Sequence, residues 1–356
     1  MRTTYMYNNV MYTVATYLIE QTTKVPFAAY LATTFFQPLG LTATNLQPSV
    51  ANEKGLGDRL AKGYVWHSDR DKLVEVDIPE CPEAQGAGSI VTSVNDYIRW
   101  VKALIHQEGP VTPEVYQGMI RQRMIRFPDY EYSLPYMSTL ICCSGWNSTH
   151  FRGQLLIAHA GEIDGFGTYH FFLPDHKFGG CIFANGTYGR QIGYILAYEL
   201  IDNLLVVPDD QRVDWDEEID DLEGPGVSDR LPLTDAKFLK AFYPDVHEPQ
   251  GQSKCLEAYA GVYSNIGYRQ LEVTIRDGQL FIDASDRSMG FTVSFLHVAD
   301  QTKYLVEVRS SKALGGARVC VVPAEFHEDD TGFVYAVGLP LEPALPYKII
   351  FKRKRD

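Results

Sequence analysis

The stretch Gln154-Leu155-Leu156-Ile157-Ala158-His159, followed by Gly167-Thr168-Tyr169-His170-Phe171-Phe172-Leu173 and then Gly179-Gly180-Cys181-Ile182-Phe183-Ala184-Asn185, decides how this chain is read. Short runs rich in Ile, Phe and Tyr and bounded by Gly, Pro and Asp are strands rather than helices. Pro174-Asp175-His176-Lys177 makes a turn between the last two runs. Ile192 to Val206 then returns to helical spacing. Strands followed by a helix that covers them predict an antiparallel sheet backed by helices, an α+β fold.

Upstream of this stretch the chain reads as helical. From Asn9 to Thr22, Val10, Val14, Tyr17 and Leu18 recur at helical spacing and predict an apolar face. Pro26 opens a second helix through Phe35, which Pro38 and Gly40 end. Ser93 caps a third helix, with Asp96 where a capping box wants an acid and Tyr97, Trp100, Val101, Leu104 and Ile105 on its apolar face. Thr112-Pro113-Glu114 starts a fourth.

Downstream, residues 208–254 read as an acidic linker. The run Asp214-Trp215-Asp216-Glu217-Glu218-Ile219-Asp220-Asp221 and the break Gly224-Pro225-Gly226 suit a solvated connection, with a short helix over Thr234 to Phe242. From residue 255 short strands dominate, beginning with a hairpin turned at Asp277-Gly278. The predicted organisation is therefore a sheet-and-helix domain over 1–207, a linker over 208–254, and a small all-β barrel or sandwich over 255–356.

The net charge of -13 argues against nucleic acid or an anionic membrane as the main partner. The basic cluster Lys352-Arg353-Lys354-Arg355 reads as a solvated tail. Neither a signal peptide nor an apolar run of transmembrane length is read, so the expected location is cytoplasmic. Six scattered cysteines match no zinc or disulfide pattern; reduced thiols, no metal and no cofactor are expected.

Three motifs in order resemble the serine β-lactamase and penicillin-binding-protein-like family, in particular its class C and esterase-like branch. Tyr7-Asn8-Asn9 fits Y-x-N, with Phe36-Gln37-Pro38-Leu39-Gly40-Leu41 after the first helix. Gly86-Ala87-Gly88-Ser89 resembles the family's Gly-rich segment before a helix. His159-Ala160-Gly161, with Gly165-Phe166-Gly167 beyond it, resembles the H-x-G form of the K-T-G strand motif. Tyr259-Ala260-Gly261-Val262-Tyr263 and Leu341-Glu342-Pro343-Ala344 resemble an accessory β-domain of such proteins.

The resemblance implies an acyl-transfer site. A serine would attack a carbonyl and a lysine one helical turn on would ease removal of its proton. Tyr7 would shuttle the proton, Asn9 would hold a substrate carbonyl or amide or cap the helix, and His159 would line the strand edge as an electropositive or hydrogen-bonding group. Gly161 would let substrate approach the backbone, and the Glu162 N–H would donate to the oxyanion. His67, His106 and His170 read as surface or core residues. The family's S-x-x-K lies upstream of Y-x-N, and here no serine has a lysine three residues on. Thr234-Asp235-Ala236-Lys237 is the nearest formal match and reads as solvated helix.

The sheet is accordingly expected to be N-terminally incomplete, with a partner chain to cover its open edge. Three functional readings follow. The chain is expected to be a hydrolase or acyltransferase of a small ester or amide, as in secondary metabolism, with the nucleophile segment absent from this chain; or a non-catalytic binding or scaffolding descendant; or an acid–base isomerase in which Tyr7 and His159 reuse the cleft.

Overall fold

A computed structural model describes residues 5–67, 70–126, 134–220, 232–287, 290–311, 315–316, 318–342, 345 and 347–354. Gly224-Pro225-Gly226, Pro343, Ala344 and Arg355 lie outside the described residues. The chain divides into two compact units, Met1–Val65 with Glu75–Leu222, and Trp66–Val74 with Glu223–Asp356.

The helices are α1 (Asn9–Thr23), α2 (Phe27–Leu31), α3 (Pro48–Glu53), α4 (Val94–His106), α5 (Pro113–Ile120), α6 (Gly189–Leu204), α7 (Trp215–Asp220) and α8 (Ala236–Phe242). The short strands β1 (Asn45–Leu46) and β4 (Ile90–Val91) pair, as do β2 (Gly63–His67) and β3 (Lys72–Val76). The first unit is built on β5 (Met124–Ile125), β6 (Ile141–Cys142), β7 (Asn147–Phe151), β8 (Gln154–Ile163), β9 (Phe166–Leu173) and β10 (Phe178–Ala184). They form one antiparallel sheet in the order β10-β9-β8-β7-β6-β5.

Alternation along β8 and β9 sorts side chains onto two faces. Leu156, Ala158, Tyr169 and Phe171 pack with Ala197, Tyr198 and Ile201 of α6 and with Trp215 of α7. Ile157 and Phe172 pack on the other face with Val101 and Leu104 of α4, Tyr116 of α5 and Trp146. Helix α6 rides close to the sheet because glycine meets glycine. A Cβ on Gly167 would lie 2.2 Å from the Arg190 nitrogen, and one on Gly189 would lie 2.8 Å from the Ala184 Cβ. A second tie fixes the far end of α6. The β7–β8 turn, Arg152-Gly153, has positive φ at both residues. From there Arg152 donates to both Asp202 carboxylate oxygens, at 2.5 and 3.1 Å, and to the Gln211 carbonyl at 2.9 Å. Asp202 is fully buried.

Several local expectations meet a different structure. The N-cap of α1 is Asn8, whose side chain accepts from the Met11 N–H at 3.0 Å, so Asn9 is the first helical residue rather than the cap. The apolar face of α1 points to solvent: Val10 is 68% and Leu18 64% exposed, and Val14 and Tyr17 are exposed too. Ser93 caps α4, but Asp96 reaches instead to the Ala43 N–H and Thr44 hydroxyl at 2.7 and 2.9 Å. The acidic run is not wholly solvated, because Trp215 and Ile219 put one face of α7 into the core while Asp216 and Glu217 stay exposed. A lone tryptophan buries enough apolar area to outweigh the charged neighbours' preference for water.

Strand β10 has β9 on one side and no strand on the other among the described residues. All seven of its residues are half-buried. On α6, which packs on β10, Ile192, Leu196, Leu200 and Leu204 make an exposed apolar stripe.

The second unit is a closed antiparallel barrel of β11 (Gly261–Asn265), β12 (Arg269–Arg276), β13 (Gln279–Ala284), β14 (Phe291–Ala299), β15 (Lys303–Ser310), β16 (Arg318–Glu328), β17 (Val334–Leu339) and β18 (Ile349–Arg353). Closure, one of the two forms expected, comes from β11 pairing with β18 through Tyr263↔Arg353 and Ser264↔Lys352. Its interior is filled by Tyr259, Tyr263, Phe295, Tyr304, Phe326 and Phe351. Helix α8 packs Phe238 and Leu239 against Val298, Leu305 and Val321. The Asp277-Gly278 turn has positive φ at both residues, as a two-residue hairpin requires.

Two expected outcomes follow from these contacts. Asp202→Ala leaves the Arg152 guanidinium without its buried partner and should cost about 3–5 kcal/mol in urea unfolding of the first unit; a loss under about 1 kcal/mol would mean that Arg152 finds other partners. The second concerns His170, whose ring packs among Tyr97, Trp146 and His159. Burial, with His159 adding to it, pushes its pKa down to about 3. The unfolded chain binds that proton near pH 6.5, so stability is intact above about 6.5 and falls as pH drops from there toward 3. His170→Phe should flatten this acid limb, read as unfolding midpoints at pH 7 and pH 5; an unchanged slope would assign it to other groups.

Candidate active site

The candidate site grows from the far half of β8. Its pairing with β7 ends at Asn147↔Ala158, whereas its pairing with β9 continues to Ile163↔Phe166. A two-residue turn, Asp164-Gly165, closes the β8–β9 hairpin. Bonded and non-bonded pairs alternate along an antiparallel ladder, and the pair flanking a two-residue turn is a bonded one. His159, Gly161 and Ile163 therefore point their backbone groups at β9. Ala160 and Glu162 point theirs the other way, past the end of β7, where no strand pairs with them among the described residues.

His159 lies on the α4 side of the sheet, its ring 6.1 Å from that of His170 across the strands. Burial holds its pKa below the ordinary value; a hydrogen bond to the Ala160 backbone offsets part of this, and Arg126 lowers it further. That shift disfavours the charged, electropositive form of the ring. Gly161 shares this face, where a Cβ would come within 2.6 Å of the Thr168 hydroxyl. The need for glycine there is met by Thr168 of the neighbouring strand. The Glu162 side chain turns to the opposite face and ion-pairs with Arg190 at 3.0 Å. Asp164, next along, has its pKa raised by burial and by Glu162.

Arg126, just after β5, is the cation that the sequence reading missed. Its guanidinium lies 5.5 Å from the centre of the Tyr5 ring. It also lowers the pKa of His159 and of Tyr194 on α6. Nothing in the sequence around Arg126 marks it, since β5 is only two residues long and joins the sheet through β6.

Tyr7 is 53% exposed ahead of α1 and Asn9 is exposed in its first turn. Tyr7 is close enough to Tyr5 and Tyr12 to raise the pKa of both. Burial contributes most to each shift, and Arg126 works against it at Tyr5. Tyr12 in turn bonds the Gly145 backbone in the β6–β7 turn. Tyr7 thus shares the electrostatic surroundings of Tyr5 and Tyr12, while Asn9 makes no side-chain hydrogen bond to another described residue. Among the described residues no three His, Cys, Asp or Glu side chains group as metal ligands, and no helix is long and apolar enough to cross a membrane. All six cysteines are free of disulfides.

Comparisons with known proteins agree with this geometry. Residues 1–201 match the Beta-lactamase family model, and residues 246–353 match a domain of unknown function, DUF3471. The chain is 32% identical over 370 residues to the unguisins hydrolase ungD of Aspergillus violaceofuscus, covering 97% of this chain and 62% of that protein. It is 30% identical over 361 residues to the unguisins hydrolase ungD' of Aspergillus campestris, covering 100% and 64%. The chain therefore spans less than two thirds of the length of these relatives. The octameric penicillin-binding protein homologue from Pyrococcus abyssi shares the fold, with a TM-score of 0.50 at 20% identity over 98% of this chain and 65% of that one. With more than half of its length matched by one family model, and a sheet whose H-x-G strand presents an open edge, the chain belongs to the β-lactamase family.

Proposed function

We propose that this chain is the substrate-binding and proton-moving part of a hydrolase that cleaves an amide or ester in secondary metabolism, with the attacking serine contributed by sequence outside these 356 residues. The observation that carries the reading is the free edge of β8 beyond Ala158. An extended amide could lie along it as an added strand, accepting from backbone N–H groups and donating to carbonyls. The Glu162 N–H would then sit where charge develops on the carbonyl oxygen. Neutral His159 would position the substrate, Asn9 would hold a second carbonyl, and Arg126 would supply the site's positive charge. Tyr7 would carry the proton from the attacking hydroxyl to the leaving group.

The two relatives named as unguisins hydrolases make a compound of that kind the first substrate to try. The open edge of β10 and the exposed apolar faces of α1 and α6 would be covered by a further polypeptide segment. That arrangement hides a strand edge and an apolar surface that a monomer rarely leaves bare.

The 356-residue chain alone should give no stoichiometric adduct with a fluorophosphonate, read by intact mass. An adduct on one of its own serines would overturn the proposal that the nucleophile lies elsewhere. In the protein that carries the serine, Tyr7→Phe should lower kcat by about 100-fold or more with KM little changed, and His159→Ala should weaken both kcat and KM. Full turnover in Tyr7→Phe would remove the tyrosine from the mechanism.

A further inference from the structure

The barrel carries a feature that its packing does not explain. Along β14 the inward residues are Val293, Phe295 and His297, and His297 faces Tyr304 of β15 across the ladder. His297 is only 9% exposed. Its Nδ1 lies 3.0 Å from the Gln250 carbonyl oxygen. A carbonyl can only accept, so Nδ1 carries the hydrogen and, in the neutral ring, Nε2 is left with a bare lone pair. That Nε2 is buried and has no hydrogen-bond partner among the described residues. A buried polar atom left unpaired costs about 1–3 kcal/mol, so such atoms are rare unless something is bound there.

His297 lines a cavity of about 320 Å³ at one mouth of the barrel. Leu256, Leu280 and Phe295 give it an apolar wall, and Gln252, Gln279 and Tyr304 supply the remaining polar groups. Gln252 Nε2 donates to the Tyr304 hydroxyl at 2.6 Å, so these two partly satisfy each other while Nε2 of His297 does not share in the bond. Among the described residues no Lys, Arg, Asp or Glu lines the cavity. An ion entering it would lose its hydration without gaining a counter-charge. The volume corresponds to roughly ten water-sized groups, the scale of a single substituted ring.

We infer that the mouth of the barrel is a binding site for a small uncharged molecule that presents an O–H or N–H donor to His297 Nε2 and an apolar body to Leu256, Leu280 and Phe295. Barrel mouths are a recurrent place for such pockets. The inference is independent of the reaction proposed for the sheet domain.

Phenol and toluene separate the two halves of the claim, since they share a body and differ in the donor. With the full chain labelled at histidine with 15N, phenol should bind saturably and shift the His297 Nε2 resonance, and toluene should bind at least ten-fold more weakly. His297→Phe should bring the two affinities together. Leu280→Trp, which fills the cavity from its apolar side, should abolish phenol binding while leaving the far-ultraviolet circular dichroism unchanged. Equal affinity for phenol and toluene in the unaltered chain, no saturable phenol binding, or phenol binding that survives Leu280→Trp would each overturn the inference.

Discussion

The approach of Gly167 on β9 to Gly189 at the start of α6 is the contact on which the first unit turns. With a Cβ on Gly167 lying 2.2 Å from the Arg190 nitrogen, any other residue would push the helix off the sheet. Because the helix can come so near, Ala197, Tyr198 and Ile201 reach the Leu156–Ala158 and Tyr169–Phe171 face of β8 and β9. The same approach sets Arg190 beside Glu162 at the end of β8. The ion pair draws the Glu162 side chain to the α6 face. The strand edge that follows His159 is left with backbone groups and little carboxylate charge near its opposite face. At the other end of α6, Arg152 and Asp202 hold the β7–β8 turn, so the helix is tied near both ends of β8.

The electrostatics of the site divide between two residues that do different work. His159 sits in a partly dry setting that disfavours its charged form, and a nearby guanidinium disfavours it further. Arg126 cannot lose its proton and so keeps its sign where His159 does not. In a chain with a net charge of -13, that local cation stands out against the general field.

How much could be read in advance depended on how local each signal is. The β8–β9–β10 runs, the Ser93 cap and the Asp277-Gly278 turn are written in a few adjacent residues, and the structure places them as the pattern says. The cap of α1 was misplaced by one residue because Asn8 and Asn9 are identical in chemistry and only backbone geometry separates them. Periodicity revealed that α1 has an apolar face but could not say what lies opposite it. Asp96 fits a local box as well as a distant bond, and the distant Ala43 and Thr44 won. Arg126 was missed because it owes its character to groups far away in sequence, and His170, read as surface or core, is a core residue among Tyr97, Trp146 and His159. Trp215 was masked by the acids on either side of it.

Closure of the barrel by β11 and β18 has a consequence for the order of events during synthesis. The two strands that seal it are separated by the whole length of the domain, from Tyr263 to Arg353. As the polypeptide emerges, β12 to β17 can pair with their immediate predecessors, but β11 keeps a bare edge throughout. Arg353, which donates to the Ala258 and Ala260 carbonyls beside that edge at 2.7 and 2.5 Å, arrives after every other strand has been made. Until the last strand is made, the domain carries an unpaired strand edge of the kind through which chains associate.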